Sequence, residues 1–171
     1  MEKVSTARIA LKWGLIYGIV SIIVNTVLLN TELWKNFIIG ILIMFINIFL
    51  VLYLAMKDFK ELNNGLLSFK EGLGLGTLTM FTGGLLSVAY DNFYRKFIDP
   101  TLLEQTIEMV TEKYESMGLP EDKIEEAVTK MQESANSGLN FLWGVLGLVF
   151  VGFICSLIMA AILKKEKPVF S

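Results

Sequence analysis

Phe37–Ala55 reads FIIGILIMFINIFLVLYLA, a stretch without a single charged residue. Only Gly40 and Asn47 interrupt its apolar surface. A helix lying on a soluble domain shows a polar face every three or four positions. This stretch is apolar all round. Crossing the hydrocarbon core of a bilayer takes about 20 mostly apolar residues. Trp13–Leu29, Leu73–Phe93 and Leu139–Leu163 are apolar runs near or above that length. The expected fold is therefore an all-α polytopic membrane protein with four spans, 13–29, 37–55, 73–93 and 139–163.

The 171 residues are 54% hydrophobic, a fraction that a soluble domain can also reach. The distribution into four runs carries the argument. Those runs and one helical connection use nearly the whole chain, so a single membrane domain over 1–171 is expected. There is no histidine, and the single cysteine, Cys155, lies inside the fourth run. No intrachain disulfide can form, and cysteine usage carries no redox information. Lys3, Arg8 and Lys12 precede the first run in the manner of a signal peptide. A signal h-region spans only about 7–15 residues. This run is longer and leads into Asn30–Trp34, so an uncleaved first span is expected.

Lys and Arg near span ends mark the cytoplasmic side. The N-terminal segment, the second connection and the C-terminal segment hold nine of them: Lys3, Arg8, Lys12, Lys57, Lys60, Lys70, Lys164, Lys165 and Lys167. The other side holds six, and Lys113, Lys123 and Lys130 of these lie far from a span end. Both termini are expected in the cytoplasm, with the third connection outside. From Arg95 to Glu133 that connection carries ten acids and five bases, a net charge of −5. Acids weigh little in orientation, so they do not alter it. Trp34, Phe37, Tyr90, Phe93, Tyr94, Phe141 and Trp143 are suited to the outer interface.

Punctuation sharpens the layout. Asn63-Asn64-Gly65 is a helix stop, because Asn and Gly tolerate positive φ. Ser68-Phe69-Lys70-Glu71 has capping-box spacing and places a helix start near Ser68. Small residues recur along three spans. Gly14, Gly18, Ser21 and Asn25 do so in the first. Gly72, Gly76, Thr79, Gly83, Ser87 and Asp91 fall on one stripe of the third. Gly144, Gly152, Ser156 and Ala160 fall on one of the fourth. Such stripes let helices approach closely. The second span has the weakest stripe and is expected to be the most lipid-exposed.

The third connection reads as a helical hairpin over 99–136. Asp99-Pro100 offers a cap and a first-turn proline. Leu103, Ile107, Val110, Tyr114 and Met117 then recur at helical spacing up to Gly118. Pro120 opens a second helix, with Ile124, Val128, Met131 and Ala135 on its stripe. The plain expectation is that the stripes pack on each other or on the membrane. The sharper one makes Leu103, Ile107, Val110 and Tyr114 a surface for a protein partner.

Polar residues within or beside the spans are the remaining candidates. Interhelical hydrogen bonds account for residues such as Asn25 and Asn47. Asp91 has Arg95 four residues on, which suits a local ion pair, although an ionisable group in a span is a default functional candidate. Gly72-Leu73-Gly74-Leu75-Gly76 lacks the spacing, the strand and the lysine of a phosphate loop. The hairpin glutamates follow helical spacing rather than the short-loop pattern of a calcium site. Hydrolase and metal-dependent schemes find no usual base or ligand set. No catalytic, metal or cofactor-binding residue is expected, and the chain reads as non-enzymatic.

Gly65-Leu66-Leu67-Ser68-Phe69-Lys70-Glu71-Gly72-Leu73-Gly74-Leu75-Gly76 and Phe97-Ile98-Asp99-Pro100 resemble two signatures of an uncharacterised bacterial membrane family, domain of unknown function 4199. The order of four spans, with an acidic helical insertion before the fourth, is also similar. The resemblance implies this architecture and a bacterial inner-membrane location, and it brings no activity. The expected partners are the lipid bilayer and a protein at the hairpin, with no nucleic acid and no cofactor; oligomeric state stays open. Acting as a scaffold or accessory subunit is the first expectation. A small transporter or channel subunit using Asn25, Asn47 and Asp91 is the alternative.

Overall fold

A computed structural model describes residues 5–31 and 33–166, and among them the chain forms six α-helices. They are α1 (Thr6–Asn30), α2 (Phe37–Leu62), α3 (Phe69–Phe93), α4 (Leu102–Ser116), α5 (Glu121–Asn136) and α6 (Leu139–Leu163). Lys3 and Lys167, used in the orientation reading, lie outside the described residues, as does Glu32. The helices α1, α2, α3 and α6 are long and apolar enough to cross a membrane, and α4 and α5 form a shorter pair between the third and fourth. This is a multi-pass membrane protein.

The helix ends follow the local chemistry of the sequence. Ser5 caps α1 by accepting from the Arg8 amide. A 3₁₀ turn, Leu33–Lys35, leads to Asn36, whose side chain accepts from the amides of Ile38 and Ile39 at the start of α2. After α2, Asn64 (φ 56°) and Gly65 (φ 77°) reverse the chain in the left-handed region. There the Gly65 amide bonds the Lys60 carbonyl at 2.7 Å. The capping box then closes both ways. The Ser68 amide donates to Glu71 Oε2 at 2.9 Å, and the Glu71 amide donates to Ser68 Oγ at 3.3 Å. Orphan amides at the start of α3 are thereby satisfied.

The chain divides into two compact units. The first comprises residues 1–87 and 145–171. Its core has two apolar clusters. Ile9, Ala10, Ala55, Met56, Phe59, Leu67, Leu75 and Ala160 form one. Tyr17, Ile48, Val51, Leu52, Met80 and Cys155 form the other. Lipid tails are as apolar as leucine, so close packing and hydrogen bonds hold such helices together rather than burial from water.

Glycines make that packing possible. A Cβ on Gly14 would lie 2.6 Å from Thr82 Cβ, and one on Gly83 would lie 2.6 Å from the Gly14 carbonyl. The backbones of α1 and α3 therefore meet directly. On α3 and α6, Gly72 faces Ala160, Gly76 faces Ser156, Met80 faces Gly152 and Gly84 faces Leu148. The steps of four run in opposite directions, so the two helices are antiparallel and each large side chain sits over a small one. The stripe read as one seam on α3 thus serves two neighbours. Gly72 and Gly76 meet α6, whereas Thr79 and Gly83 meet α1.

The second span, read as the most lipid-exposed, has the smallest buried share of the four, 17% of its most apolar stretch against 28% to 39% in the others. At one end of α2, Phe37 (71%), Ile38 (68%) and Ile46 (65%) are exposed. Toward the other end, Ile48, Leu52, Ala55, Met56 and Phe59 are buried. Most of α2 is thus at least partly exposed, and one inward face supplies Ile48, Leu52, Met56 and Phe59 to the core. Bulky residues fill volume on that face, so a helix with few glycines still contributes to the core.

The second unit is Val88–Gly144. Val88 packs on Gly144, where a Cβ would meet Val88 Cγ1 at 2.9 Å. The end of α3 loosens into a π-helical turn, Tyr94–Ile98, closed by the Asp99 amide on the Tyr94 carbonyl. The helix expected from Asp99-Pro100 therefore starts later, at Leu102. Asp99 Oδ1 accepts from the Thr101 amide and hydroxyl at 3.1 and 2.6 Å, so it caps the turn and not the helix. Gly118 (φ 74°) ends α4. The Leu119 amide reaches back to the Tyr114 carbonyl and the Gly118 amide to that of Glu115. This is a Schellman closure, which needs a residue tolerant of positive φ.

Candidate functional site

Chemically active side chains occur in both units. They lie in separate groups, two in the first unit and two in the second.

Asn47 and Ser21 form a polar contact between α2 and α1. Asn47 Nδ2 donates to Ser21 Oγ at 3.1 Å. Ser21 is buried and Asn47 half-buried. The bond gives two otherwise apolar helices a fixed register. Asn25, one turn beyond Ser21, is half-buried on α1. Thr79 and Ser156 are buried too, and each hydroxyl donates to the carbonyl four residues back, at 2.8 and 2.6 Å. Polar groups in this packing layer are thus satisfied within the helices.

A second group joins the start of α1, the ends of α2 and α6, and the start of α3. Asp58 Oδ2 accepts from Trp13 Nε1 and from Lys12 Nζ, both at 2.8 Å. Lys60 Nζ donates to the Leu163 carbonyl at 3.0 Å, satisfying an acceptor at the end of α6. Leu67 and Lys165 exchange two backbone hydrogen bonds, at 2.9 and 2.8 Å, which strap the segment after α6 to the α2–α3 turn. In the sequence Lys12, Lys60 and Lys165 read only as charges, and Asp58 belongs to no motif. The available signal was a lone acid between Lys57 and Lys60, with no indication that its partners lie some 45 positions earlier.

In the second unit, Asp91 Oδ2 accepts from Arg95 Nε at 3.0 Å. The pair is partly exposed, with 40% of the Arg95 and 32% of the Asp91 side chain accessible. The Tyr90 and Tyr94 rings meet at a tilt, as do those of Phe93 and Phe97, whose centroids lie 5.2 Å apart. The fourth group is the hairpin. Leu103, Ile107, Val110 and Tyr114 are each half-buried, whereas Leu102 and Ile124 are buried. On the exposed face of α5, Glu126 bonds Lys130 Nζ at 2.6 Å and Lys123 Nζ at 3.1 Å. The two ammonium groups, Lys130 foremost, hold the Glu126 carboxyl below its ordinary range. Glu126 in turn raises Lys130.

The helix-packing candidates Gly14, Gly18, Gly72, Gly76, Gly83, Gly152 and Ser156 lie at helix contacts of the first unit, and Gly144 at one in the second. Asn47 is held by Ser21 within the first unit, and Asp91 by Arg95 within the second. No curated protein and no solved structure matches the chain. A match over residues 12–165, nearly its whole length, shows that the chain belongs to the family described as protein of unknown function DUF4199.

Proposed function

We propose that the protein is a non-enzymatic component of the bacterial cytoplasmic membrane that acts through protein contacts, as a scaffold or accessory subunit. The α4–α5 hairpin is its contact surface and lies outside the cytoplasm, with both termini inside. The half-buried seam carries this reading. Leu103, Ile107, Val110 and Tyr114 recur along one face of α4, and pairing with α5 leaves each of them partly accessible. Two short helices that bury so little apolar surface need a further partner to hold them. The orientation is supported by Lys12, Lys60 and Lys165, whose contacts gather them at one end of the first unit.

The transporter reading draws less support. Asn47 donates to Ser21 and Asp91 pairs with Arg95, so each is engaged by a neighbour. The decisive experiment places a photo-crosslinking residue at Ile107 or Val110, with Glu112 as the control. A defined partner crosslinked from the seam but not from Glu112, and lost in Ile107→Gln/Val110→Gln, supports the proposal. Equal or absent crosslinking from the two faces overturns it. Asp91→Asn and Asn47→Leu are expected to leave solute flux in reconstituted vesicles unchanged.

A further inference from the structure

An open groove of about 520 Å³ runs along α3 in the first unit, lined by Lys70, Leu73, Gly74, Thr77, Leu78 and Phe81, with Val149 of α6 opposite. We propose that it seats one acyl chain of an anionic phospholipid, with the Lys70 ammonium on the headgroup phosphate. The hairpin contact proposed above concerns a different surface, so neither idea depends on the other.

Length, shape and charge each point to this occupant. From Lys70 to Phe81 the helix rises roughly 16 Å at about 1.5 Å per residue. That is close to half of the hydrocarbon core, which is about 30 Å thick. The groove therefore spans one leaflet, with its cation at one end. Gly74 opens it: a Cβ there meets nothing within 4 Å, unlike those on Gly72 and Gly76 on either side. The lining is apolar in effect, because the Thr77 hydroxyl is already spent on the Leu73 carbonyl at 2.8 Å. The volume falls in the range of small-molecule sites, about 300–1,000 Å³.

Lys70 supplies the choice of headgroup. It is exposed, and among the described residues no acid pairs with it. The neighbouring Glu71 carboxylate is engaged by the Ser68 amide and hydroxyl. Lys57, by contrast, has Glu61 at 3.9 Å. A lone ammonium at the head of a chain-length apolar groove suits a phosphodiester without a compensating cation, and so an anionic lipid over a zwitterionic one.

The test uses the full chain in mild detergent with equimolar phosphatidylglycerol and phosphatidylcholine, the bound lipids being counted by native mass spectrometry. The wild type is expected to retain phosphatidylglycerol preferentially. Lys70→Gln should lower that preference about fivefold, the effect of one lysine near an anionic surface. Gly74→Leu should reduce retention of both lipids, since its side chain fills the groove without touching a helix contact. Lys57→Gln should change neither. The proposal is overturned if the wild type shows no preference, if Lys57→Gln matches Lys70→Gln, or if folded Gly74→Leu, checked by tryptophan fluorescence, retains lipid as the wild type does.

Discussion

Gly74 and Gly76 are two residues apart in one helix and have opposite surroundings. A side chain on Gly76 would run into Ser156, whose Oγ is fixed on the Gly152 carbonyl, and into Leu52 Cδ2 at 3.0 Å. Overpacking of this kind costs about 1–3 kcal/mol. Gly76→Ala should therefore lower the unfolding midpoint in detergent. Gly74→Ala should leave it unchanged or raise it, because alanine is the better helix former by about 1 kcal/mol. Asp58 offers a second contrast. Its bond to the Trp13 indole is partly buried, whereas Lys12 is 57% exposed. Exposed ion pairs contribute about 0–1 kcal/mol, and hydrogen bonds to charged groups about 1.5–3 kcal/mol. Double-mutant cycles should give a larger coupling for Trp13→Phe with Asp58→Asn than for Lys12→Gln with Asp58→Asn. Equal couplings would contradict that ranking.

At the scale of elements, the start of α3 rests on Ser68 and Glu71. Ser68→Ala removes the cap on the Glu71 amide and the hydroxyl donor to Glu71. A loss of about 1 kcal/mol is expected, read by unfolding or by faster amide exchange in the first turn. On α5, Glu126 is depressed by Lys130 and Lys123. The depressed carboxyl favours folding above its unfolded value, and that contribution disappears as pH falls through the lower folded value. Lys130 is raised, so its contribution is present below the unfolded lysine value and fades as pH rises through the higher folded one. Helicity of α5 should thus decline at both acid and alkaline extremes. Lys130→Gln should move the Glu126 titration upward by NMR, and an unmoved midpoint would deny the link. No local motif marks the π-helical turn at Tyr94–Ile98. Nothing local forbids ordinary helix there, and Asp99-Pro100 looks like a complete start signal.

Across the whole molecule, α2 distinguishes facing lipid from being apolar. Leu42 is 56% exposed and Leu52 fully buried, although both sit in the same uncharged run. With Cys155 replaced by Ser, cysteines at these positions should differ sharply toward a membrane-permeant thiol reagent, with Leu42→Cys reacting and Leu52→Cys protected. Similar labelling would mean that α2 is rotated from this arrangement. Fusions of a compartment-sensitive reporter after Lys165 and within the α4–α5 turn should report opposite sides of the membrane. Reports from the same side would remove the orientation on which the hairpin proposal stands.

The sequence by itself determined what is local: four apolar runs, the Asn64-Gly65 stop, the capping box, the Gly118 closure and the Asp91–Arg95 pair. Each follows from composition over about 20 residues, or from groups within a few positions of one another. Tertiary structure decided which way each helix faces. A helix that is apolar all round has no preferred face toward a core as apolar as the lipid, so its rotation is set by the fit of Gly76 under Ser156 or Gly152 under Met80. It also decided every contact between distant groups, including Trp13 with Asp58, Lys60 with the Leu163 carbonyl and Leu67 with Lys165. Those partners are 45 to 103 positions apart, and only packing of the first unit brings them together.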